Sequence, residues 1–397
     1  MYKILTPFLV VLILLSGCVV KGPSTALRII TEESPPFNFS DERGNVTGQS
    51  TELVKEIMKK TGDGGVIEML PWSQGYALVQ KEPGTVLYSI SRIPLRENMF
   101  KWVGPIGFAD NWFYSKMGAG VKLDSLDDAK KVKSIAVYRD DSNQLYLQEK
   151  GFTNLDISEN MAECIRKLVN GQVDLWLGPA EGLHFIAYGA GVNPAEIEAV
   201  KYVRRAEWYI AFNKEVPDST VRSWQKALDE LKQAKDASGV STYDRITTSY
   251  TVPQYVADSV AADTVVKLVE KTAADITADA AGTINKINNG EAPYLDKVNP
   301  QLYVYVYDTG VNLVANADNP AIVGRCFRSV PDIAGKLFRD GIVEGALKDG
   351  KGWEDYVFTI PGKIGIYNKS AYYVLATGSD GKQYVVCAGR YTDKPQP

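Results

Sequence analysis

Two hydroxyls and a guanidinium lie close together at the end of an apolar strand, where they could bind an anion. The strand ends at Ser89 and Ser91, and Arg96 follows in the turn beyond it. A fixed guanidinium beside two hydroxyls holds a carboxylate through charge-assisted, bidentate hydrogen bonds. The alternative is that Arg92 and Arg96 are solvated turn residues that pair with Glu97. The spacing alone favours the surface turn, so the choice between these two interpretations depends on the rest of the chain.

Composition limits the classes of function. The chain has 397 residues, of which 45% are apolar and 23% charged, with a net charge of −4. This length predicts two or three domains, and the mild acidity without a basic stripe argues against a nucleic-acid partner. The single histidine, His184, argues against histidine metal sites and a Ser-His-Asp triad, and we expect it to be a packed or surface residue. Because the motifs of nucleophile elbows, P-loops and zinc proteases are missing as well, we expect no enzyme, no cofactor and no metal.

The first 18 residues have the features of an export signal. Lys3 precedes a short apolar run, and Leu15-Ser16-Gly17-Cys18 resembles the lipobox of lipoproteins. This resemblance implies that Cys18 is lipidated and anchors the mature chain to the membrane. The alternative is an uncleaved anchor helix. Both interpretations place the body of the protein outside the cytoplasm.

Three further cysteines follow Cys18, and the compartment allows them to oxidise. Cys164 occupies an apolar helix position and is expected in a core. Cys326 and Cys387 both fall in the C-terminal part of the chain. A disulfide between these two is therefore one interpretation.

The first 250 residues alternate between strands and helices. This order predicts two α/β lobes with mostly parallel sheets. A helix over residues 219–233 is expected to return to the first lobe. The predicted strands are 27–31, 66–70, 85–89, 134–137, 173–177 and 209–212, and the predicted helices are 52–61, 72–80, 142–149, 161–170 and 219–233.

Residues 27–250 resemble the family 3 periplasmic solute-binding proteins of ABC importers. The resemblance rests on Ser89-x-Ser91 with Arg96, Pro36-Phe37, Gly48, Pro71-Trp72, Phe100-x-Trp102-Val-Gly-Pro105 and Gly171-x-Val-Asp174. It implies a two-lobed type II periplasmic-binding-protein fold over residues 24–250 that closes around a ligand. Lobe 1 would comprise about 27–109 and 211–250, and lobe 2 about 110–210, with crossing strands near 108–113 and 207–212.

The resemblance also assigns roles in a cleft between the lobes. Arg96 would bind the ligand carboxylate, with Ser89 and Ser91 as hydroxyl partners. Phe37 and Trp72 would form an aromatic wall, although core packing explains such residues equally well.

The second lobe departs from the amino-acid receptors of the family. A helix that begins at Ser142 would add backbone donors, but Asp140 and Asp141 beside it would repel an anion. Pro179 stands where these receptors carry an ammonium-binding Asp, and Glu181 is the nearest substitute. An amino acid, a carboxylate without an amine and another polar solute therefore all remain open as ligands.

The composition changes at residue 251. Apolar residues at helical spacing predict a long helix over 254–288, and strands at 301–307, 357–359, 371–377 and 383–388 predict an antiparallel sheet. Residues 260–395 resemble a single Cache domain, a sensory α+β (PAS-like) module. The matching residues are Tyr305-Val-Tyr-Asp-x-Gly310, Asn319-Pro-x-x-Val-Gly324, Asp332-x-x-Gly-Lys-x-Phe338, Gly350-x-Gly-Trp353-x-x-Tyr356, Lys369-x-x-x-Tyr373 and Gly389-x-Tyr391.

We expect 251–397 to form this second domain, with a pocket for a small organic anion. Its candidate residues are Arg325, Trp353, Tyr356 and Lys369, with core aromatics and a solvated lysine as the alternative. Asn316 stands where the family often has histidine. This difference puts the usual ligand contacts in doubt.

Together these features predict an extracytoplasmic, lipid-anchored binding protein. It would capture a small polar solute that bears a carboxylate and resembles an amino acid, between its two lobes, for an ABC permease. The alternative is a sensor that signals a small organic anion through its Cache-like domain to a membrane receptor in trans. Neither function requires an enzymatic activity.

Overall fold

The computed structural model describes residues 26–393. The predicted signal segment and Cys18 lie outside the described residues. We keep the names lobe 1, lobe 2 and C-terminal domain for the three units that the sequence predicts.

The two lobes are built from β-strands with helices packed on both faces. Lobe 1 contains β1 (Arg28–Thr31), β2 (Phe39–Ser40), β3 (Val46–Thr47), α1 (Gln49–Thr61), β4 (Ile67–Met69), α2 (Trp72–Lys81) and β5 (Thr85–Ser91). Two long strands, β6 (Lys101–Lys116) and β10 (Ile197–Phe212), run through both lobes. Between them, lobe 2 contains β7 (Ile135–Tyr138), α3 (Ser142–Glu149), β8 (Leu155–Ser158), α4 (Met161–Val169), β9 (Leu175–Pro179) and α5 (Leu183–Gly189). Finally α6 (Asp218–Gln233), which the sequence predicted, and α7 (Thr242–Ser249), which it did not, pack on the lobe 1 core.

One mixed sheet of eight strands joins the lobes, in the order β4-β1-β5-β10-β6-β9-β7-β8. The outer strands of each lobe pair in parallel, whereas β10 is antiparallel to both β5 and β6. The β6–β10 register runs from Ile197 opposite Lys116 to Phe212 opposite Lys101. The predicted crossing near 108–113 is therefore the central part of β6, whereas the one near 207–212 is the lobe 1 end of β10. Three register shifts interrupt this ladder, and such bulges let paired strands bend and twist.

The lobe 1 core explains why α1 and α6 form where they do. Leu53, Val54 and Ile57 recur at helical spacing along α1 and are fully buried. They pack in one cluster with Trp224 of α6, whose ring lies edge-on to Phe212 at 5.1 Å. The buried face of each helix thus covers the sheet that carries the candidate site.

The C-terminal domain is an antiparallel sheet between helices. Its elements are α8 (Ala262–Ala278), α9 (Ala280–Asn288), β11 (Val304–Asp308), β12 (Leu313–Asn316), α10 (Phe338–Asp349), β13 (Lys351–Phe358), β14 (Tyr367–Thr377) and β15 (Gln383–Tyr391). The strand order is β12-β11-β15-β14-β13. One apolar cluster fills the face beneath α8 and α9, and a second fills the face beneath α10.

Two sequence predictions for this domain need correction. The single long helix over 254–288 is interrupted because Asp279 leaves the helical region and caps α9, accepting a hydrogen bond from the Gly282 amide at 3.0 Å. The disulfide between Cys326 and Cys387 is not formed, since both thiols are free. Cys387 is buried among the apolar residues beneath α10, whereas Cys326 is exposed, its Sγ 3.9 Å from the Gly310 carbonyl oxygen.

The C-terminal domain contacts both lobes. The β2–β3 hairpin of lobe 1 reaches it through an ion pair of 2.6 Å between Arg43 and Asp318. On lobe 2, the His184 ring packs over Gly335, where a Cβ atom would lie 2.9 Å from the ring. His184 is thus a packed residue, and burial lowers the pKa of its imidazole. Both lobes therefore meet the same neighbour.

The tight packing of the turn before α1 depends on Gly48. Gly48 has φ of +110°, and a Cβ there would lie 2.6 Å from the Phe37 carbonyl oxygen. We expect Gly48→Ala to lower the free energy of unfolding by about 2–3 kcal/mol, because it adds a backbone clash to an unfavourable φ. The control is Gly44→Ala at φ of +80°, where none of the described residues would come within 4 Å, with an expected cost of about 1 kcal/mol. Urea unfolding followed by tryptophan fluorescence measures both values, and equal costs would contradict the packing argument.

Candidate ligand-binding cleft

Arg96 is the central residue of the interface between the lobes. It ends a single helical turn after β5, and only 1% of its surface is exposed. Its guanidinium lies 5.2 Å from the Trp72 ring and 4.9 Å from the Tyr76 ring, and these rings stack on each other. Nη1 donates to the Ser91 carbonyl at 3.1 Å, and Nη2 donates across the cleft to the Asp140 carbonyl at 2.6 Å. Lobe 1 therefore fixes a cation that reaches lobe 2.

The second predicted serine shapes the loop that follows β1. Ser89 has φ of 62°, a region that few non-glycine residues adopt, and its hydroxyl donates to Asn38 Oδ1 at 2.7 Å. Asn38 in turn donates to the Glu32 carbonyl. Phe37 packs edge-on against Trp208 with ring centroids 4.4 Å apart. Ser89 and Phe37 thus hold the wall of the cleft, whereas Ser91 contacts Arg96 directly through its carbonyl.

Lobe 2 contributes the start of α3 and a second arginine. Asp141 caps α3 and accepts a hydrogen bond from the Asn143 amide at 2.8 Å. Arg204, on β10, donates to the Ser142 hydroxyl at 2.9 Å and to Asn143 Oδ1 at 3.1 Å, and lies 4.8 Å from the Tyr146 ring. Burial lowers the pKa of Arg204. This arginine was not predicted, because its sequence context is an ordinary strand.

Arg96 and Arg204 each retain an unused donor at Nε. Their Nε atoms are buried and, among residues 26–393, have no hydrogen-bond partner. Such unsatisfied buried donors are rare in proteins, since each costs free energy that a partner would recover. The pair therefore marks the cationic side of the cleft.

The remainder of the cleft is acidic and aromatic. A cavity of 340 Å³ between the lobes is lined by residues including Glu32, Glu33, Glu181, Tyr138 and Phe185. Burial and, to a smaller extent, the neighbouring Asp141 raise the pKa of Glu32 to about 8, although Arg96 opposes both effects. Burial also raises the pKa of Glu181, whose Oε2 accepts a hydrogen bond from the Asp110 amide at 2.9 Å. The cleft thus has two buried guanidinium groups on one side and carboxyl groups on the other, and burial favours the protonated, neutral form of those carboxyl groups.

The structure therefore brings most of the predicted cleft residues together. Trp72 and Ser91 both contact Arg96, which reaches the Asp140 carbonyl, and Ser142 lies on the opposite lobe beside Arg204. Glu181 lines the acidic cavity, which is where a substitute for the missing ammonium-binding Asp would have to lie. The sequence did not single out Tyr76, Arg204 or Glu32. Tyr76 lies one helical turn after Trp72, and that spacing is the signal that could have found it.

In the C-terminal domain, only part of the predicted pocket assembles. Tyr356 stacks on Phe338 at 3.8 Å, and Lys369 is buried opposite Tyr356 on the neighbouring strand β14. Trp353 was predicted wrongly, because it faces the other side of β13 and packs against Tyr372. Arg325 is exposed and lines an outer cavity of 460 Å³ rather than the inner pocket.

A different arginine supplies the positive charge of this pocket. Arg339 of α10 is buried and pairs with Glu42 from the β2–β3 hairpin of lobe 1. Tyr303, Tyr305 and Tyr307 line the same space. Glu42 could not be predicted, because a hairpin tip in another domain has no sequence pattern that links it to this pocket.

The described residues contain neither a membrane-spanning helix nor a candidate metal site. None of the helices between residues 26 and 393 combines the length and apolar character that crossing a bilayer requires. Over the same range, no three or more His, Cys, Asp or Glu residues are grouped so that they could hold a metal ion.

Comparison with known families assigns both parts of the chain. Residues 27–289 match the bacterial extracellular solute-binding proteins, family 3, and residues 260–394 match single Cache domain 2. These are binding and sensory families rather than enzymes, in agreement with the sequence prediction. The predicted two-lobed fold with a C-terminal Cache domain is thus confirmed.

Individual relatives cover the first part of the chain. An arginine-binding periplasmic protein of Mannheimia haemolytica is 27% identical over 187 residues, which are 44% of this chain and 76% of that protein. An ancestral arginine-binding protein bound to arginine is 23% identical, with a TM-score of 0.47, over 55% of this chain and 95% of that one. A histidine kinase sensor domain with similarity to periplasmic binding proteins is 18% identical, with a TM-score of 0.47, over 52% and 90% of the two chains.

The buried Glu32 carboxyl generates a pH prediction. Because its folded pKa of about 8 exceeds the usual 4.5, the folded protein holds a proton there that the unfolded chain has lost. The contribution of this group to the free energy of unfolding is fully present below about pH 4.5. It falls as the pH rises from 4.5 to 8, by at most about 1.4 kcal/mol per pH unit. We expect Glu32→Gln to remove this part of the slope in urea unfolding between pH 5 and 8.

The control for this experiment is Glu97→Gln. The hydrogen bond from Arg92 lowers the pKa of Glu97, so this exposed group contributes no slope between pH 5 and 8. An unchanged slope in Glu32→Gln would show that Glu32 is not held protonated in the cleft.

Proposed function

This chain belongs to the bacterial extracellular solute-binding proteins, family 3, and we propose that it captures an amino acid with a cationic side chain between its two lobes. The observation that carries the proposal is the inter-lobe position of Arg96, opposite an acidic cavity. The cleft would take the carboxylate at one end and the cationic group at the other.

The carboxylate end follows from the contacts of Arg96. Its Nη2 reaches the Asp140 carbonyl of lobe 2, and its Nε is unpaired. A ligand carboxylate that enters between separated lobes offers two charged acceptors in place of one neutral carbonyl oxygen. Charge-assisted bonds of this kind are stronger than neutral ones, and exclusion of water strengthens them further.

The cationic end follows from the acidic cavity. Glu32, Glu33 and Glu181 line it together with the Tyr138 and Phe185 rings. Carboxylates with aromatic faces are the groups that stabilise a guanidinium or ammonium ion. The name of the Mannheimia relative, an arginine-binding periplasmic protein, supports the same choice of ligand.

The transport role rests on lobe closure. Gly182 of lobe 2 lies under the Pro35 carbonyl of lobe 1, where a Cβ atom would be only 2.4 Å from the oxygen. Two surfaces that fit so closely form a defined closed state, which an ABC permease could distinguish from the open one. In this proposal the protein acts outside the cytoplasm and is anchored through a lipid on Cys18.

A second function, sensing, is favoured by the position of the C-terminal domain. It contacts the lobe 1 hairpin through Asp318 and the lobe 2 helix α5 through Gly335. Relative movement of the lobes must therefore alter at least one of these contacts. A membrane receptor in trans could detect that change, which is the sensory alternative to transport.

The binding site is tested by substituting Arg96. We expect Arg96→Ala to weaken the binding of L-arginine by about 100-fold, since a charged hydrogen-bonding group is removed. Titration calorimetry measures the affinity. Arg92→Ala is the matched control, because Arg92 is four residues away and pairs with Glu97 at the surface. An affinity for L-arginine that is the same in both variants would refute the assignment of Arg96.

The sensory alternative is tested by hydrogen exchange. If the C-terminal domain detects lobe closure, L-arginine should change the exchange rates of residues 39–47 and 331–336, which form its contacts with the lobes. Arg96→Ala should abolish these changes. Exchange that changes only around the cleft would favour transport alone.

A further inference from the structure

We propose that Glu42 is a tethered ligand of the C-terminal domain: its carboxylate occupies a buried, cationic cavity there, and a free small carboxylate can replace it and release the hairpin. This inference does not depend on which solute the cleft binds. It concerns a contact between the two domains that neither matched family describes by itself.

The cavity is built around Arg339. Only 5% of this residue is exposed, and its guanidinium lies 4.2 Å from the Phe338 ring and 4.6 Å from the Phe327 ring. Burial would lower the pKa of Arg339, but Glu42 and Tyr307 outweigh burial, and the pKa is raised. A buried guanidinium without an anionic partner is strongly destabilising, and Glu42 is the partner here.

A second cation lies behind the aromatic wall of the same cavity, against Tyr303 and Phe358. Lys369 is 1% exposed, donates to the Tyr303 hydroxyl at 3.1 Å and lies about 5 Å from the rings of Tyr303, Phe358 and Tyr391. Burial lowers the pKa of Lys369 to about 8, while Glu42 and Asp318 oppose this shift. The C-terminal domain thus brings two buried cations and several tyrosine hydroxyls to one place.

The matching anion comes from the other domain. Among the described residues that line the inner cavity, Glu42 is the one carboxylate, and the remaining lining is aromatic, aliphatic, Asn316 and Arg339. With Glu42 in place the free volume is 20 Å³, which is room for about one water molecule. The side chain therefore fills the position that a small carboxylate would take.

Glu42 is held in the cavity by the β2–β3 hairpin, so a free carboxylate can exchange with it. Asp41 holds the hairpin tip by accepting from the Arg43 and Asn45 amides, and Asn319 of the C-terminal domain donates to the Glu42 carbonyl at 2.8 Å. A tethered group competes at a high effective concentration, so a free carboxylate should displace it only at millimolar levels or above.

Displacement would also reach the solute cleft. The hairpin follows directly after the segment from Glu32 to Asn38, and Glu32 and Pro35 line the acidic cavity. A carboxylate bound in the C-terminal domain would thereby free the loop that forms one wall of the cleft. The acidic cavity of the cleft and the cavity of the C-terminal domain are thus connected by the nine residues from Ser34 to Glu42.

Acetate is the probe that the geometry selects. Glu42→Ala deletes a CH₂–COO⁻ fragment, which corresponds to acetate. We expect the full-length Glu42→Ala variant to have a lower melting temperature than wild type. Sodium acetate should raise the melting temperature of this variant more than sodium chloride does at equal ionic strength, and the increase should saturate. Wild type should respond much less, because Glu42 already fills the cavity. The expected dissociation constant is millimolar.

Two controls separate this effect from general ones. Asp318→Ala breaks the Arg43 ion pair at the same hairpin but leaves Glu42 in the cavity, so its acetate response should be much smaller than that of Glu42→Ala. Glu42→Ala combined with Arg339→Gln should lose the response that Glu42→Ala gains. An equal acetate effect in Glu42→Ala and Asp318→Ala, or none in Glu42→Ala, would overturn the proposal.

A further variant covers the case in which Glu42→Ala does not fold. Glu42→Gln keeps the volume of the side chain and removes only its charge. Because a neutral amide competes less well for Arg339, we expect calorimetry to show acetate binding at least tenfold tighter than to wild type. Hydrogen exchange of residues 39–47 should accelerate as acetate binds. Equal affinity for acetate in Glu42→Gln and wild type would count against a tethered ligand.

Discussion

A charge that is removed from water must find a partner, and in this protein the partner repeatedly comes from a different rigid unit. Arg96 of lobe 1 meets the Asp140 carbonyl of lobe 2, and Arg339 of the C-terminal domain meets Glu42 of lobe 1. In each case aromatic rings exclude water from the flanks of the guanidinium, which raises the cost of leaving it unpaired. The arrangement of the three units is therefore tied to the satisfaction of two buried cations, and whatever competes for those cations acts on the arrangement.

The shared sheet determines which movements are available. Because β6 and β10 pair along their whole length, the lobes cannot separate by sliding without breaking a ladder of backbone hydrogen bonds. Bending at the register shifts leaves that ladder largely intact, so a hinge motion costs least. Such a motion opens the surfaces farthest from the strands, where Arg96 faces Asp140 and Gly182 faces Pro35. The same motion moves the hairpin and α5, which both touch the C-terminal domain, relative to each other.

The sequence was most informative where a feature depends on local pattern. The helical spacing in α1 and α6, the strand that leads to Ser91, and the alternation of strands and helices predicted the lobes closely, because burial of one face fixes these elements. The family resemblance led to Arg96. Arg204 and Glu32 were missed because a strand arginine and a loop glutamate acquire their roles only from the opposite lobe. Trp353 was assigned to the wrong side of β13, since alternation along a strand tells which residues share a face but not which face meets the ligand.

The position of Glu42 has a consequence for how the two domains communicate. If a carboxylate in the C-terminal cavity frees the hairpin, the binding of that carboxylate and the conformation of the cleft are linked, and the linkage must act equally in both directions. A solute that draws lobe 1 toward lobe 2 then changes the affinity of the cavity by the same factor by which the carboxylate changes the affinity of the cleft. The size of the factor cannot exceed the free energy of the contacts that the hairpin makes, chiefly the Glu42–Arg339 and Arg43–Asp318 pairs. Since the first pair is buried and the second is partly exposed, the greater share of the coupling must come from Glu42.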